Sequence, residues 1–331
     1  MRLLLWLFLP LLVWGEEEFS FDAETFEKKR FEHQGYLRSD NTLLWSDAGR
    51  TARTSDELNL RGTWNESPIN LLADFSAFYR DDSRSDGDDE FLLNELRQRF
   101  GDERESLDAG KKVLRWGKVY AYSPLAFYER PKDPVYPDLS REGFWMAHAQ
   151  MTRTPEEGYV SAYTLDLLYL PDITDNRDHF ASTDSRGGAK LYLLAGESDI
   201  DLVIAENAFG ADISSDVGNG LELHADFGAK GGDKSTLLGL RYQSPTDLTL
   251  IAEWFRTYED TRWRYLKATQ KEPFGWVYSS LYLLWLDQED SQSYRLLAGG
   301  AYDFKNGFTL DLAYVRTDTA DGMKAIVYYY F

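Results

Sequence analysis

Ile69-Asn70-Leu71-Leu72-Ala73-Asp74-Phe75-Ser76-Ala77-Phe78-Tyr79-Arg80 decides the fold class. Ile69, Leu71, Ala73, Phe75, Ala77 and Tyr79 alternate with Asn70, Leu72, Asp74, Ser76, Phe78 and Arg80. Successive side chains of a strand point to opposite faces, so the segment has one apolar face and one that carries charge in mid-strand. The same period recurs at 57–64, 221–227 and 308–314. Alternation alone also suits a soluble sandwich. Three features select a membrane barrel instead: charges in mid-strand, Tyr and Trp near strand ends, and tight turns between long strands. Such turns stand at Asn65-Glu66-Ser67-Pro68, Gly101-Asp102-Glu103-Arg104, Gly196-Glu197-Ser198-Asp199, Ser244-Pro245-Thr246-Asp247 and Lys305-Asn306-Gly307.

Working outward, segments of this kind fall at 31–44, 53–64, 69–80, 90–100, 105–117, 142–153, 159–170 and 188–196. They continue at 199–207, 219–229, 235–244, 248–257, 275–287, 294–304, 307–317 and 323–331. The expected fold is therefore all-β, a single transmembrane antiparallel β-barrel over residues 31–331 with about sixteen strands, fourteen to eighteen being open. Its tight turns are expected on the periplasmic side and its acidic loops outside.

The N-terminus differs. Met1-Arg2 leads into Leu3-Leu4-Leu5-Trp6-Leu7-Phe8-Leu9-Pro10-Leu11-Leu12-Val13-Trp14-Gly15, then Glu16-Glu17-Glu18. One cation, an apolar run and a small residue describe a signal peptide over 1–15, too short to span as a helix. Residues 16–30 form a lead-in. The rest is polar, with a mean hydropathy of −0.49 over the chain, yet 15% of residues are aromatic, with 21 Tyr, 19 Phe and 10 Trp. Charge beside aromatics fits an apolar exterior, aromatic girdles and a wet lumen. The chain has no cysteine, which excludes a disulfide scaffold and a thiolate metal site. Its net charge of −20 excludes nucleic acid as a partner, because phosphate binding needs a basic face.

The last residues, Met323-Lys324-Ala325-Ile326-Val327-Tyr328-Tyr329-Tyr330-Phe331, put Met323, Ala325, Val327, Tyr329 and Phe331 on one face. This resembles the C-terminal signature of bacterial outer-membrane proteins. The resemblance implies that the barrel-assembly machinery reads Phe331, with the barrel surrounded by lipid and lipopolysaccharide of a Gram-negative outer membrane. A second stretch is Gly110-Lys111-Lys112-Val113-Leu114-Arg115-Trp116-Gly117, followed by Pro124, Pro131, Pro134 and Pro137. It resembles porin-like barrels of the alginate-export type, as do Leu221-Glu222-Leu223-His224-Ala225-Asp226 and Leu250-Ile251-Ala252-Glu253-Trp254. That resemblance implies an outer-membrane channel or exporter and fixes no solute.

Prolines remove ladder donors, so 118–141 reads as a stiff loop. It carries Arg130, Lys132 and Asp133 and is expected either to fold inward as a constriction or to stand as an outer lid. Pore-lining charges are expected at Arg61, Arg80, Glu95, Arg97, Arg99, Lys111 and Arg115 on one wall. Glu222, His224, Arg241 and Glu253 are expected on the other. Facing walls of unlike charge would set a transverse field that selects solutes. For any single residue the plainer reading is pairing that stiffens the wall. The solute is unspecified: small polar or anionic molecules, or a polymer as the resemblance implies. The alternative is a non-conducting or plugged barrel with a structural, assembly or surface-binding role.

An enzyme is not expected. Four histidines, His33, His148, His179 and His224, come without a Gly-x-Ser-x-Gly or His-Glu-x-x-His motif. No cofactor is implied. The acidic run Asp81-Asp82-Ser83-Arg84-Ser85-Asp86-Gly87-Asp88-Asp89-Glu90 departs from EF-hand spacing and reads as a solvated surface loop rather than a calcium site.

Overall fold

The computed structural model describes residues 30–331 except 67–68, 83–84, 118, 131–134, 136–141, 178–185 and 292. The signal peptide and nearly all of the lead-in lie outside the described residues. Strands β1 (Phe31–Ser46), β2 (Gly49–Glu66), β3 (Ile69–Asp82) and β4 (Ser85–Gly101) are long. β5 (Glu105–Lys112) is short and precedes the connection 113–143. Then come β6 (Phe144–Arg153), β7 (Val160–Leu170), β8 (Arg186–Ala195), β9 (Ser198–Ala205), β10 (Ala208–Asp216) and β11 (Leu221–Lys230). β12 (Asp233–Gln243), β13 (Leu248–Arg256), β14 (Arg262–Lys271), β15 (Ser279–Gln288), β16 (Tyr294–Asp303), β17 (Phe308–Thr317) and β18 (Asp321–Tyr330) complete the set.

Each strand pairs antiparallel with the next, and β18 returns to β1 from Tyr36↔Tyr330 to Trp45↔Asp321. The sheet is thereby a closed barrel of eighteen strands. Large apolar side chains remain exposed right around its outer face, among them Leu60, Phe91, Ile204, Leu238, Leu266 and Leu312. A closed ladder with an apolar exterior is what hydrocarbon demands, since no water is there to satisfy backbone groups. Polar residues take much of the inner face from β17 round to β5, and apolar ones much of it from β6 to β16. β1 to β4, at 14–18 residues, exceed the roughly 9–11 that span a bilayer. They project past it at the end opposite the chain terminus.

Two strands escaped the period-two reading, Ala208–Asp216 and Arg262–Lys271. In β10 the inner face is Ala208, Gly210, Asp212 and Ser214, small residues that give little strand signal. In β14 the usual contrast is inverted. Trp263 and Tyr265 face inward opposite Phe255 and Glu253, while Arg264 and Gln270 face out. The acidic run 81–90 is also largely strand, for β3 runs to Asp82 and β4 begins at Ser85. Short turns occur at both ends of the barrel, at 196–197 on the terminal end and at 206–207 and 231–232 on the other. Periplasmic sidedness of tight turns therefore does not hold. The two longest connections, 113–143 and 171–185, do share the end opposite the terminus.

The seam depends on a close approach. Phe331 N donates to Gly35 O at 3.1 Å and Gly35 N to Phe331 O at 2.9 Å. A Cβ on Gly35 would stand 2.6 Å from the Asn59 carbonyl and 2.8 Å from the Phe331 ring, so the terminal aromatic seats only over a glycine.

The connection 113–143 turns into the barrel. After Gly110, at φ +131°, β5 stops at Lys112 and Val113 N donates to Glu95 at 3.1 Å. The loop then crosses to the far wall. Leu114, Trp116, Leu125, Phe127 and Tyr128 form one core with Phe144, Met146, Leu168, Leu170 and Val203. Val119, Ala121 and Val135 form another with Leu237, Phe255, Tyr265 and Leu284. Gly210 has no Cβ where Leu125 would be 2.3 Å away. The lumen thus has a dry half under the loop, along β6 to β16, and a polar half along β17 to β5.

Two outcomes are expected. Gly35→Val displaces the Phe331 ring and lowers stability by about 1–3 kcal/mol, the usual cost of overpacking. Urea unfolding of the refolded barrel measures this, and an unchanged midpoint would show that the seam tolerates a side chain. Glu253→Gln strips one acceptor from the two loop amides it holds, leaving a buried donor unsatisfied at about 1–3 kcal/mol. Trypsin should then cut within 113–143 faster than in the parent while the strands stay protected; equal rates would mean that Glu253 is not the anchor.

Candidate functional site: the polar half of the lumen

Glu253 sits on the inner face of β13 and is 4% exposed. It accepts from Tyr120 N at 2.9 Å and Ala121 N at 2.8 Å. His224 Nε2 lies 3.0 Å from Oε1, the oxygen that also accepts from Tyr120 N, and the Tyr120 ring stands edge-on to His224 at 5.8 Å. On neighbouring strands, Lys190 reaches Asp201 at 2.9 Å and the Trp116 carbonyl at 3.3 Å. Tyr128 OH donates to Gly187 O at 2.6 Å and Tyr258 OH to Pro124 O at 2.6 Å. Burial raises the Tyr120, Tyr122 and Tyr128 phenols above their ordinary range, so the loop's aromatic ring set is neutral at ordinary pH. His224 and Glu253 are therefore loop anchors rather than lining of open space. His148 is likewise held, with Lys112 at 2.7 Å and Asp166 at 2.9 Å. Among the described residues neither histidine has a serine hydroxyl in hydrogen-bond reach.

Open space remains on the other side. A cavity of about 960 Å³ is lined by Tyr36, Asn59, Arg61, Asp74, Glu95, Arg97, Lys112 and Arg115, with Tyr330 and Phe331 at its lower edge. Each wall residue comes from an alternating inner position of β1 to β5. Arg61 lies 3.7 Å from both Asp74 and Glu95. Asp108, 1% exposed, gathers Arg97 at 2.9 Å, Arg99 at 2.9 Å and Lys112. Arg115 makes no ion pair among the described residues and is exposed. Its neighbours in sequence explain why: β5 ends before it, so Arg115 rides on the loop and not on the wall where a strand reaching 117 would put it.

The remaining expected lining residues scatter. Arg99 is spent on Asp108 through two hydrogen bonds. Lys111 falls on the opposite face of β5 from Asp108 and Lys112, because alternate residues face opposite ways, and it is buried against Glu142 and Asp175. The cavity cation is its neighbour Lys112. Arg80 lines a second cavity of about 600 Å³ near the other end, with Asp40, Arg53, Asp88 and Lys324. Glu222 and Arg241 pair with each other at 3.6 Å away from both cavities. Arg130 bonds Glu142 at 2.8 Å and covers the Phe144 ring at 4.9 Å; Lys132 and Asp133 lie outside the described residues.

Sequence reading did not find Asp108, Lys112, Arg38, Asp40 or Lys324. It placed Asp226 on the far wall but did not find Asp201 or Asp212; the three oppose one another directly across β9, β10 and β11 and are at most 4% exposed. Small neighbours hid β10, the middle strand of this row. β11 stands nine strands from β2, half of the eighteen. The basic wall and this row therefore stand on opposite sides of the barrel, the row buried and its Asp201 paired with Lys190.

No family model matches the chain, and no curated protein matches it significantly. Solved structures do resemble it. OccK2 (OpdF) of Pseudomonas aeruginosa, solved in complex with glucuronate, superposes with a TM-score of 0.59 at 12% identity, over 91% of this chain and 98% of its own. OccAB3 of Acinetobacter baumannii gives 0.52 at 12%, over 91% and 99%. An engineered variant of the Rh. blastica porin gives 0.52 at 12%, over 91% and 100%. The similarity to all three lies in the fold, which is that of a porin-like closed antiparallel barrel of the outer-membrane type.

Proposed function

We propose that the protein is a channel of a Gram-negative outer membrane that passes small anionic solutes. The observation that carries this is the 960 Å³ cavity, lined by four cations, Arg61, Arg97, Lys112 and Arg115, against two carboxylates, Asp74 and Glu95. In a chain of net charge −20, a cation excess around open space is against the background and marks where an anion gains. Arg115, exposed and without an ion pair among the described residues, is the group most available to a passing carboxylate or phosphate. The porin-like fold supports transport over chemistry, as does the locking of His148 and His224 into ion pairs and loop anchors.

The chain terminus and the short-looped seam are assigned to the periplasmic side, with the connections 113–143 and 171–185 facing outward. Phe331, exposed at the seam, is the residue offered to the barrel-assembly machinery, and lipid and lipopolysaccharide cover the apolar exterior. Polymer export, as in alginate-export-type barrels, has less support. The loop divides the lumen, and the cavities lined by Arg61 and by Arg80 are of small-molecule size.

The test is ionic conductance of the refolded barrel in a planar bilayer under a salt gradient. The expected result is discrete steps with a reversal potential that reports anion preference. Arg61, Arg97 and Arg115 changed together to Gln should move that potential toward zero while steps persist. Cation preference in the parent protein would sink the anionic reading, and silence from properly folded protein would favour the non-conducting barrel.

A further inference from the structure

Lys112 lines the 960 Å³ cavity, yet its ammonium is turned back into the wall. Its Nζ donates to Asp108 Oδ2 and lies 2.7 Å from His148 Nδ1. On the far side of the ring, His148 Nε2 lies 2.9 Å from Asp166 Oδ1. The register sets His148 directly opposite Asp108 on β5, and Asp166 comes from β7 on the other flank. Asp108, His148 and Asp166 are at most 4% exposed.

The protons along these contacts can be counted. An ammonium only donates, and an ionised carboxylate only accepts. Nδ1 therefore presents its lone pair to Lys112, and Nε2 carries the one ring proton and donates it to Asp166. A second ring proton has no room while Lys112 stands there, since two donors would meet at 2.7 Å. Nδ1 is also 3.9 Å from Asp108 Oδ2, the oxygen that Lys112 uses, so a protonated ring has an acceptor one small shift away. The other charges around the ring are paired. From β4, Arg97 and Arg99 hold Asp108 at 2.9 Å each, and Arg97 also lies 3.7 Å from Glu95. On β8, Lys190 stands opposite Asp166 and pairs with Asp201. Gln150, on β6 with His148, donates to Asp166 at 3.0 Å.

We propose that His148 sets the position of Lys112 and thereby makes the anion preference of the channel depend on pH. With the ring neutral, Lys112 is a strut between Asp108 and His148, its charge spent on the wall. When the ring takes a second proton, Nδ1–H donates to Asp108 Oδ2 in place of Lys112. Like charge then turns the ammonium out into the cavity that Arg61, Arg97 and Arg115 line. The exchange leaves no charge bare, because Asp108 keeps both arginines and gains the imidazolium, while Lys112 moves into water. Histidine titrates between about pH 5 and 8, so acid adds a cation to the cavity and alkali withdraws it. The inference rests on the channel reading. It makes His148, which does not line the cavity, a positioning residue for its selectivity.

Reversal potentials of the refolded barrel under a potassium chloride gradient, taken at a series of pH values from about 8 down to 5, test it. In the parent protein the anion-to-cation permeability ratio should rise several-fold toward acid with a single midpoint. His148→Gln, whose amide accepts from Lys112 and donates to Asp166 without titrating, should hold the ratio near its alkaline value throughout. Lys112→Gln should also be flat. Folding of each variant is read from the mobility of unheated samples on a denaturing gel. Ring nitrogen chemical shifts of His148 in labelled protein, assigned by their loss in His148→Gln, give a readout that needs no transport. At the alkaline end they should show a proton on Nε2 and none on Nδ1. Anion-selective steps whose ratio ignores pH in the parent, or changes equally in His148→Gln, would overturn the inference and leave the channel standing. So would a ring protonated on both nitrogens at the alkaline end. No steps from any of the folded proteins would overturn both.

Discussion

Closure of the ladder between β18 and β1 is the constraint from which the rest follows. In hydrocarbon each unpaired backbone donor costs several kcal/mol, so the sheet cannot end in an edge. Ten cross-strand positions from Tyr36↔Tyr330 to Trp45↔Asp321 achieve this, with the last residue reaching back to Gly35. Once the sheet closes, each strand has one face toward lipid and one toward the lumen. Sorting by period two then becomes obligatory. Apolar residues cover the exterior, and a chain with 28% charged residues must place its ions inside or at the rims.

An interior of eighteen strands is too wide for side chains alone to fill, since eight strands already bring the walls just within reach of one another. The chain answers with its own segment. The connection 113–143 carries the apolar side chains that a lumen would otherwise lack, and lays them against β6 to β16. Hydrogen bonding fixes its path, above all at Glu253, where one carboxylate takes two successive amides. Charge-assisted bonds of this kind are the stronger class. On the opposite side space stays open, where Arg61, Arg97, Lys112 and Arg115 line a cavity.

Period two made the barrel legible from the sequence because bilayer and lumen impose opposite demands on neighbouring residues. Leu58, Leu60 and Trp64 face out, and Glu57, Asn59 and Arg61 face in, as alternation requires. The pattern fails where one face is neither. β10 lines the barrel with Ala208, Gly210 and Ser214 because the loop presses on it, and β14 turns Trp263 and Tyr265 inward into the loop's second core. Both missed strands lie under that dry half. The site was legible only in part for a related reason. Arg61, Glu95 and Arg97 could be placed by parity on long strands. Lys111 and Lys112 are adjacent, and choosing between them requires knowing where β5 ends. Arg115 is reachable only because the strand stops at Lys112 and the loop turns inward. The Arg38–Asp40–Lys324 group joins the first strand to the last, a contact no local pattern contains.

That last group shows how closure of the sheet also arranges charge inside the barrel. Arg38 and Asp40 are neighbours on the inner face of β1, and Lys324 belongs to the strand that closes on it, one register step above Ile326. The seam must bring β18 to β1 for the sheet to close at all. In doing so it sets Lys324 2.8 Å from the carboxylate that Arg38 also uses. The wall of β2 to β5 is built in the same way, with Asp108 gathering Arg97, Arg99 and Lys112. In both places one carboxylate fixes several cations, so the register that closes the sheet also sets the charges of its lumen.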